Sequence, residues 1–212
     1  MAATTWNPAD KGASIVLSNG NLTAAWPGGA GAWVRAAFGA TTGKYYWEIN
    51  ADAWTNTNTS AGIALSTNNL VNGIAAAGAG VGTSGLGFGG VVYVDGASAG
   101  ISFGTITSGH LMCYALDCDA GRVWFKNSAA GNWNNSGTAN PATGTGGVTL
   151  TQFGAGKALY PAFGPWGTND KMTANFGQNA FTGVVPSGFT QGFGTGLPIA
   201  GGGVTSRVMI LA

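Results

Sequence analysis

The sequence predicts an all-β fold, an antiparallel two-sheet sandwich, on three observations. Short runs of β-branched and aromatic residues alternate with clusters of Gly, Asn, Asp and Pro along the chain. No stretch carries an apolar stripe at i, i+3, i+4, i+7 among good helix formers. Turn chemistry that tolerates positive φ sits between the runs, at Asp95-Gly96 and at Asp119-Ala120-Gly121. The 8 Trp, 10 Phe and 5 Tyr supply a core that a disordered chain lacks. The 39 glycines follow no three-residue period, which excludes collagen.

In order, the candidate strands are SIVL at 14–17, WVRAA at 33–37, KYYWEIN at 44–50, AGIAL at 61–65 and VVYV at 91–94. They continue with HLMCYALD at 110–117, RVWF at 122–125, LYPAF at 159–163 and MTANF at 172–176. The Asn-, Gly-, Thr- and Ala-rich stretch 127–156 reads as an elaborated loop. No charged or Pro-rich linker divides the strands, so one domain is expected over 1–190. Residues 191–212 read as a Gly-rich connector and an apolar arm, VTSRVMILA.

Only 7% of residues are charged and the net charge is +1, so no basic stripe is present for a phosphate backbone or anionic lipid. Nucleic acid and membrane are not expected partners. The opening MAATTWNPADKG lacks the basic start and apolar run of a signal peptide, and no apolar stretch reaches the roughly 18 residues of a membrane span. Cys113 and Cys118 stand an odd number of residues apart on one strand, which puts them on opposite faces and too far apart to be bonded. A Cys118 thiol near the exposed turn could instead pair with another subunit.

No catalytic, metal or cofactor site is expected. GLGFGG at 85–90 fits G-x-G-x-x-G, but VVYVDG follows where a nucleotide fingerprint needs a helix. His110, the one histidine, reads as a hydrogen-bonded residue at a strand start. Asp117 and Asp119 lack the further spacing of a calcium loop and read as turn carboxylates bonding backbone N–H groups. Glu48 is the single Glu, on the strand face opposite Trp47, with no second acid placed for glycoside hydrolysis.

Trp47 and Trp124 fall in strand patterns and are expected in the core, whereas Trp26, Trp54, Trp133 and Trp166 fall in loops. Two loop clusters pair an aromatic platform with amides, the combination that stacks on a sugar ring and bonds its hydroxyls. They are Trp54 with Asn56 and Asn58, and Trp133 with Asn132, Asn134 and Asn135. Val208, Met209, Ile210 and Leu211 make the arm apolar on both faces of an extended strand, so it is expected to dock on a neighbouring subunit or on its own sheet edge.

Read in order, GKYYWEI (43–49), AGIAL (61–65), HLMCYALDCDAGRVWFKN (110–127), ALYPAFG (158–164) and TANFG (173–177) resemble the SPRY domain family over roughly residues 12–190. The resemblance implies a bent sandwich related to lectin-like jelly rolls, which binds partners through loops at one end and is not a catalyst. Gly-rich, charge-poor chains of this look also resemble accessory proteins of bacteriophages. That implies a non-enzymatic virion protein, a capsid, neck or tail decoration made in the host cytoplasm, in a homo- or hetero-oligomeric assembly with other virion proteins. Two alternatives stand beside it: a lectin-like module for a host-surface glycan, and an intracellular adaptor domain.

Overall fold

The computed structural model describes residues 2–30, 32–66, 90–94, 97–150 and 157–201, and the backbone of 83–87. In chain order the strands are β1 (Ala2–Ala3), β2 (Trp6–Lys11), β3 (Val16–Ser18), β4 (Thr23–Trp26), β5 (Val34–Ala36), β6 (Lys44–Ala53), β7 (Ser60–Leu65), β8 (Thr83–Gly87) and β9 (Val91–Val94). They continue as β10 (Ala97–Ser102), β11 (Leu111–Asp117), β12 (Arg122–Lys126), β13 (Val148–Thr149), β14 (Leu159–Gly164), β15 (Asp170–Asn175), β16 (Thr190–Gln191) and β17 (Gly194–Thr195). One sheet has the order β10-β9-β8-β7-β14-β5-β2, and the facing sheet β13-β12-β11-β6-β15-β4-β3. Pairing along both is antiparallel, as the sequence predicts. The exception is β16, which runs parallel to β6 at Tyr45 and Tyr46. There β15 has already ended, at Asn175 opposite Glu48, and left that side of β6 open.

Strand alternation builds the core. Trp47, Ile49, Met112, Tyr114, Leu116, Val123, Phe125, Met172 and Phe176 point from the second sheet at Val34, Ile63, Leu159 and Phe163 of the first. Trp47 stacks on Tyr114 across the β6–β11 ladder, 5.0 Å between ring centroids. The opposite face of the second sheet carries Tyr46, Cys113, Ala115 and Trp124, buried under the chain that follows β12 and β15. Trp124 is therefore buried outside the inter-sheet core, with its indole N–H donated to Thr145 O at 2.8 Å.

Three expectations are corrected here. Strands β2, β4, β8 and β10 were not foreseen, because Pro8, paired alanines and glycines replace the β-branched signature. β2 is an edge strand, where a proline takes no bond from the ladder. Within the 127–156 stretch the described residues, 127–150, hold two single-turn 3₁₀ segments, Trp133–Asn135 and Pro141–Thr143, and β13. The domain also does not end at 190. Phe193 is buried in the core beside Trp47, Gly194–Thr195 pairs with Ala2–Ala3, and Ala200 N–H donates to Phe189 O at 2.8 Å. The arm residues Val208, Met209, Ile210 and Leu211 lie outside the described residues, as does the Asp95-Gly96 turn.

Candidate functional site

The register of β4, β6, β7, β14 and β15 brings the segments 27–30, 54–59 and 165–169 to one end of the sandwich, with 103–110 beside them. Asp170, the first residue of β15, fastens this end. It is fully buried. Its Oδ1 accepts from Thr55 N–H and Thr55 Oγ1, each at 2.7 Å. Its Oδ2 accepts from Gly167 N–H at 2.7 Å, from Trp166 N–H at 3.1 Å and from the Thr59 hydroxyl. A buried carboxylate without such partners would be costly, so these donors and the carboxylate hold each other in place. The loops approach so closely that a Cβ at Gly167 would stand 2.1 Å from Thr55 Oγ1.

On this end Trp166 stands out, 44% exposed on a loop whose backbone Asp170 fixes. Trp26, half-buried at the end of β4, and Trp54 lie in the core behind the same loops, and both indole N–H groups are buried without a hydrogen-bond partner.

The first predicted cluster does not form a platform. Trp54 is 7% exposed and belongs to the inter-sheet core. Asn56 Oδ1 accepts from Asn58 N–H at 2.8 Å, a turn bond within the loop. The second cluster folds onto the outer face of the sheet. Trp133 is half-buried there, with the Lys126 ammonium 4.5 Å from its ring centroid and Tyr46 at its side. Asn134 is buried, accepting from Phe125 N–H and donating to Gly146 O, while Asn135 donates to Ser102 O. Of the four residues 132–135, Asn132 and Asn135 are exposed. Trp54 and Trp133 lie on opposite faces of one sheet and are not brought together. Trp166 carried the same loop signal as Trp54, and only the tertiary packing separates them.

The other predicted positions have partners of their own, some of them distant in the chain. His110 Nδ1 accepts from Thr107 N–H at 3.3 Å just before β11. Asp117 accepts from Ala120 N–H and pairs with Lys44, and Asp119 accepts from Gly43 N–H, so both act as turn carboxylates. Among the described residues no three of His, Cys, Asp and Glu converge. Among the described residues the element after β8 is the strand β9, and residues 88 and 89 of the GLGFGG stretch lie outside them.

Another buried carboxylate fastens the chain that follows β15. Glu48, 2% exposed, accepts from Tyr46 OH at 2.7 Å, Gly183 N–H at 2.7 Å and Thr182 N–H at 3.1 Å. It ties the 176–189 strap onto the outer sheet face, above Cys113. Burial pushes the Cys113 thiol up to about 11; the Tyr46 bond and Lys126 pull it down, and Glu48 pushes it further up. Beside the strap a polar cleft of about 280 Å³ is lined by Glu48, Asn50, Thr173, Asn179 and Thr182, among others.

With the geometry in view, comparison with solved structures is decisive for the fold. The SPRY domain of human HERC1 superposes with a TM-score of 0.59 at 18% identity, over 82% of this chain and 99% of that one. The chain has a SPRY-like fold. The TRIM65 PSpry domain gives a TM-score of 0.55 at 16% identity over 82% of this chain and 92% of that one. Stonustoxin gives 0.53 at 18% identity, also over 82% of this chain but 27% of that one. No family model matches the sequence. No curated protein matches it either. In this SPRY-like frame the Asp170 loops occupy one end of the sandwich and the Glu48 strap one face.

Proposed function

We propose that the protein is a non-catalytic recognition and assembly component of a virion, a bacteriophage capsid, neck or tail decoration, which binds its partner through the Asp170 loop end. The carrying observation is Trp166, a large ring exposed on a loop already fixed by hydrogen bonds. An aromatic on a rigid loop binds with little ordering cost, which is how interface anchors act. The charge-poor surface supports the assembly setting, since a net charge of +1 offers no repulsion between packed copies.

Mass spectrometry of purified particles tests the setting, and absence of the chain from particles removes it. Replacing Trp166 by Ala should abolish partner capture or attachment while changing stability by less than about 1 kcal/mol. Trp54→Ala is the control, and should cost about 3 to 5 kcal/mol. Undiminished attachment by a folded Trp166→Ala protein would refute the loop-end site.

The polar cleft on the outer face favours a second reading, a glycan-binding module. Its amides, hydroxyls and one carboxylate suit a sugar ring. Binding on a glycan array that Asn50→Ala removes would support it, and a blank array would eliminate it.

A further inference from the structure

A groove of about 770 Å³ is lined by Phe181 and Val185 of the strap and by Leu197 and Pro198 of the segment after β16, together with Gln178 and Gln191. Among the described residues no charged side chain lines it. Next to its walls stand Val184, 82% exposed, and Ile199, 55% exposed, two large apolar side chains facing water. An uncharged, apolar-walled groove with such shoulders calls for an apolar occupant.

The chain supplies one. Residues 208–211, Val-Met-Ile-Leu, are apolar on both faces when extended, and the groove offers apolar side chains from two segments of chain to cover them. The described chain reaches Gly201, with Ala200 held by the backbone of Gly188 and Phe189. The six residues 202–207 that follow span at most about 20 Å, enough to cross to an adjoining surface. Arg207, the one charge in the arm, precedes the apolar residues 208–211 in the sequence.

We propose that residues 208–211 of one copy occupy the groove between Phe181–Val185 and Leu197–Pro198 of a second copy. The net charge of +1 opposes this contact little, and every copy carries both the arm and the groove. The proposal rests on the assembly reading above and names the contact that joins copies. Its test reads self-association alone, so loss of the virion setting or of the Trp166 site leaves it standing.

Light scattering on the purified full chain should show species above 21.0 kDa that grow with concentration. Ile210→Asp, which alters only the arm, and Leu197→Asp, which alters only the groove, should each return the protein to a single-chain mass. Val184→Asp serves as a second groove variant, since its side chain is exposed and its loss spares the fold. A one-to-one mixture of Ile210→Asp and Leu197→Asp should regain a two-chain species, because one partner keeps a groove and the other an arm. A full chain that stays at one-chain mass up to millimolar concentration overturns the proposal. So does association that Ile210→Asp and Val184→Asp both leave unchanged, or a mixture that fails to regain the pair, which is the result if the arm fills its own groove.

Discussion

The loop end and the strap solve the same problem with different strength. Each is irregular chain held on a sheet by a buried carboxylate that receives N–H and O–H donors, and in each a glycine N–H approaches that carboxylate at 2.7 Å. At both glycines a side chain would collide: a Cβ at Gly183 would stand 2.5 Å from Tyr46 OH, as one at Gly167 would meet Thr55. Asp170 gathers donors from two loops, each of which crosses from one sheet to the other, whereas Glu48 gathers them from its own strand and one strap. A chain with seven acidic residues spends two of them on such fastenings. Asp170 both joins more segments and receives more donors than Glu48, so its loss is expected to cost more.

The strongest way to break the comparison is Asp170→Ala. Three backbone N–H groups and two hydroxyls lose a charged acceptor in a site with no exposure, a cost on the order of 4 to 5 kcal/mol. Denaturant unfolding measures it, and Asp170→Asn should recover a part, since one acceptor oxygen survives. A loss under about 1 kcal/mol would mean that the loops hold themselves.

Glu48→Ala ranks next. It strands two backbone N–H groups and the Tyr46 hydroxyl, at a cost of about 2 to 3 kcal/mol, with the sandwich itself intact. Hydrogen exchange at Thr182 and Gly183 should rise well before that of β6 and β11. Equal acceleration in strap and strands would show that the strap is inseparable from the fold.

The difference between these two sites was partly legible in the sequence. The alternation in KYYWEIN put Glu48 opposite Trp47, and the HLMCYALDCDAGRVWF hairpin gave β11, its turn and β12 nearly to the residue. Those segments follow a period of two that single residues cannot disguise. The strap and the Asp170 loops obey no period. Asp170 bonds Thr55, 115 positions earlier, and Glu48 bonds Gly183, 135 positions later, so nothing local announces either. Composition misled in the same places. Glycines after 189 read as a flexible connector in the sequence, but Phe193 among them plugs the core between Tyr45 and Trp47. Asparagines around Trp133 suggested recognition, yet Asn134 spends its amide on the backbone of Phe125 and Gly146.

The smallest expected effect sharpens the comparison from beneath the strap. Burial pushes the Cys118 thiol up to about 12, with Asp119 and Asp117 adding to it, as burial and Glu48 do for Cys113 at about 11. In the unfolded chain a thiol ionises near about 8.5, so above that pH the unfolded state sheds protons that the folded state keeps. Folded-state values that are raised contribute stability that is full below about 8.5 and is lost as pH climbs toward 11 and 12. Each thiol steepens that fall by up to about 1.4 kcal/mol per pH unit. Tyr45, Tyr46 and Tyr114 are raised too, but their unfolded values lie near about 10, which leaves roughly pH 8.5 to 10 to the thiols alone. Within that window Cys113→Ala and Cys118→Ala should each flatten the decline measured by unfolding. Glu48→Gln should soften only the Cys113 share, because it removes the charge that pushes that thiol up while leaving Asp117 and Asp119 beside Cys118. If Glu48→Gln flattened the profile of the Cys113→Ala protein as well, the carboxylate would be acting through the whole sheet, and the strap would lose its standing as a separate fastening.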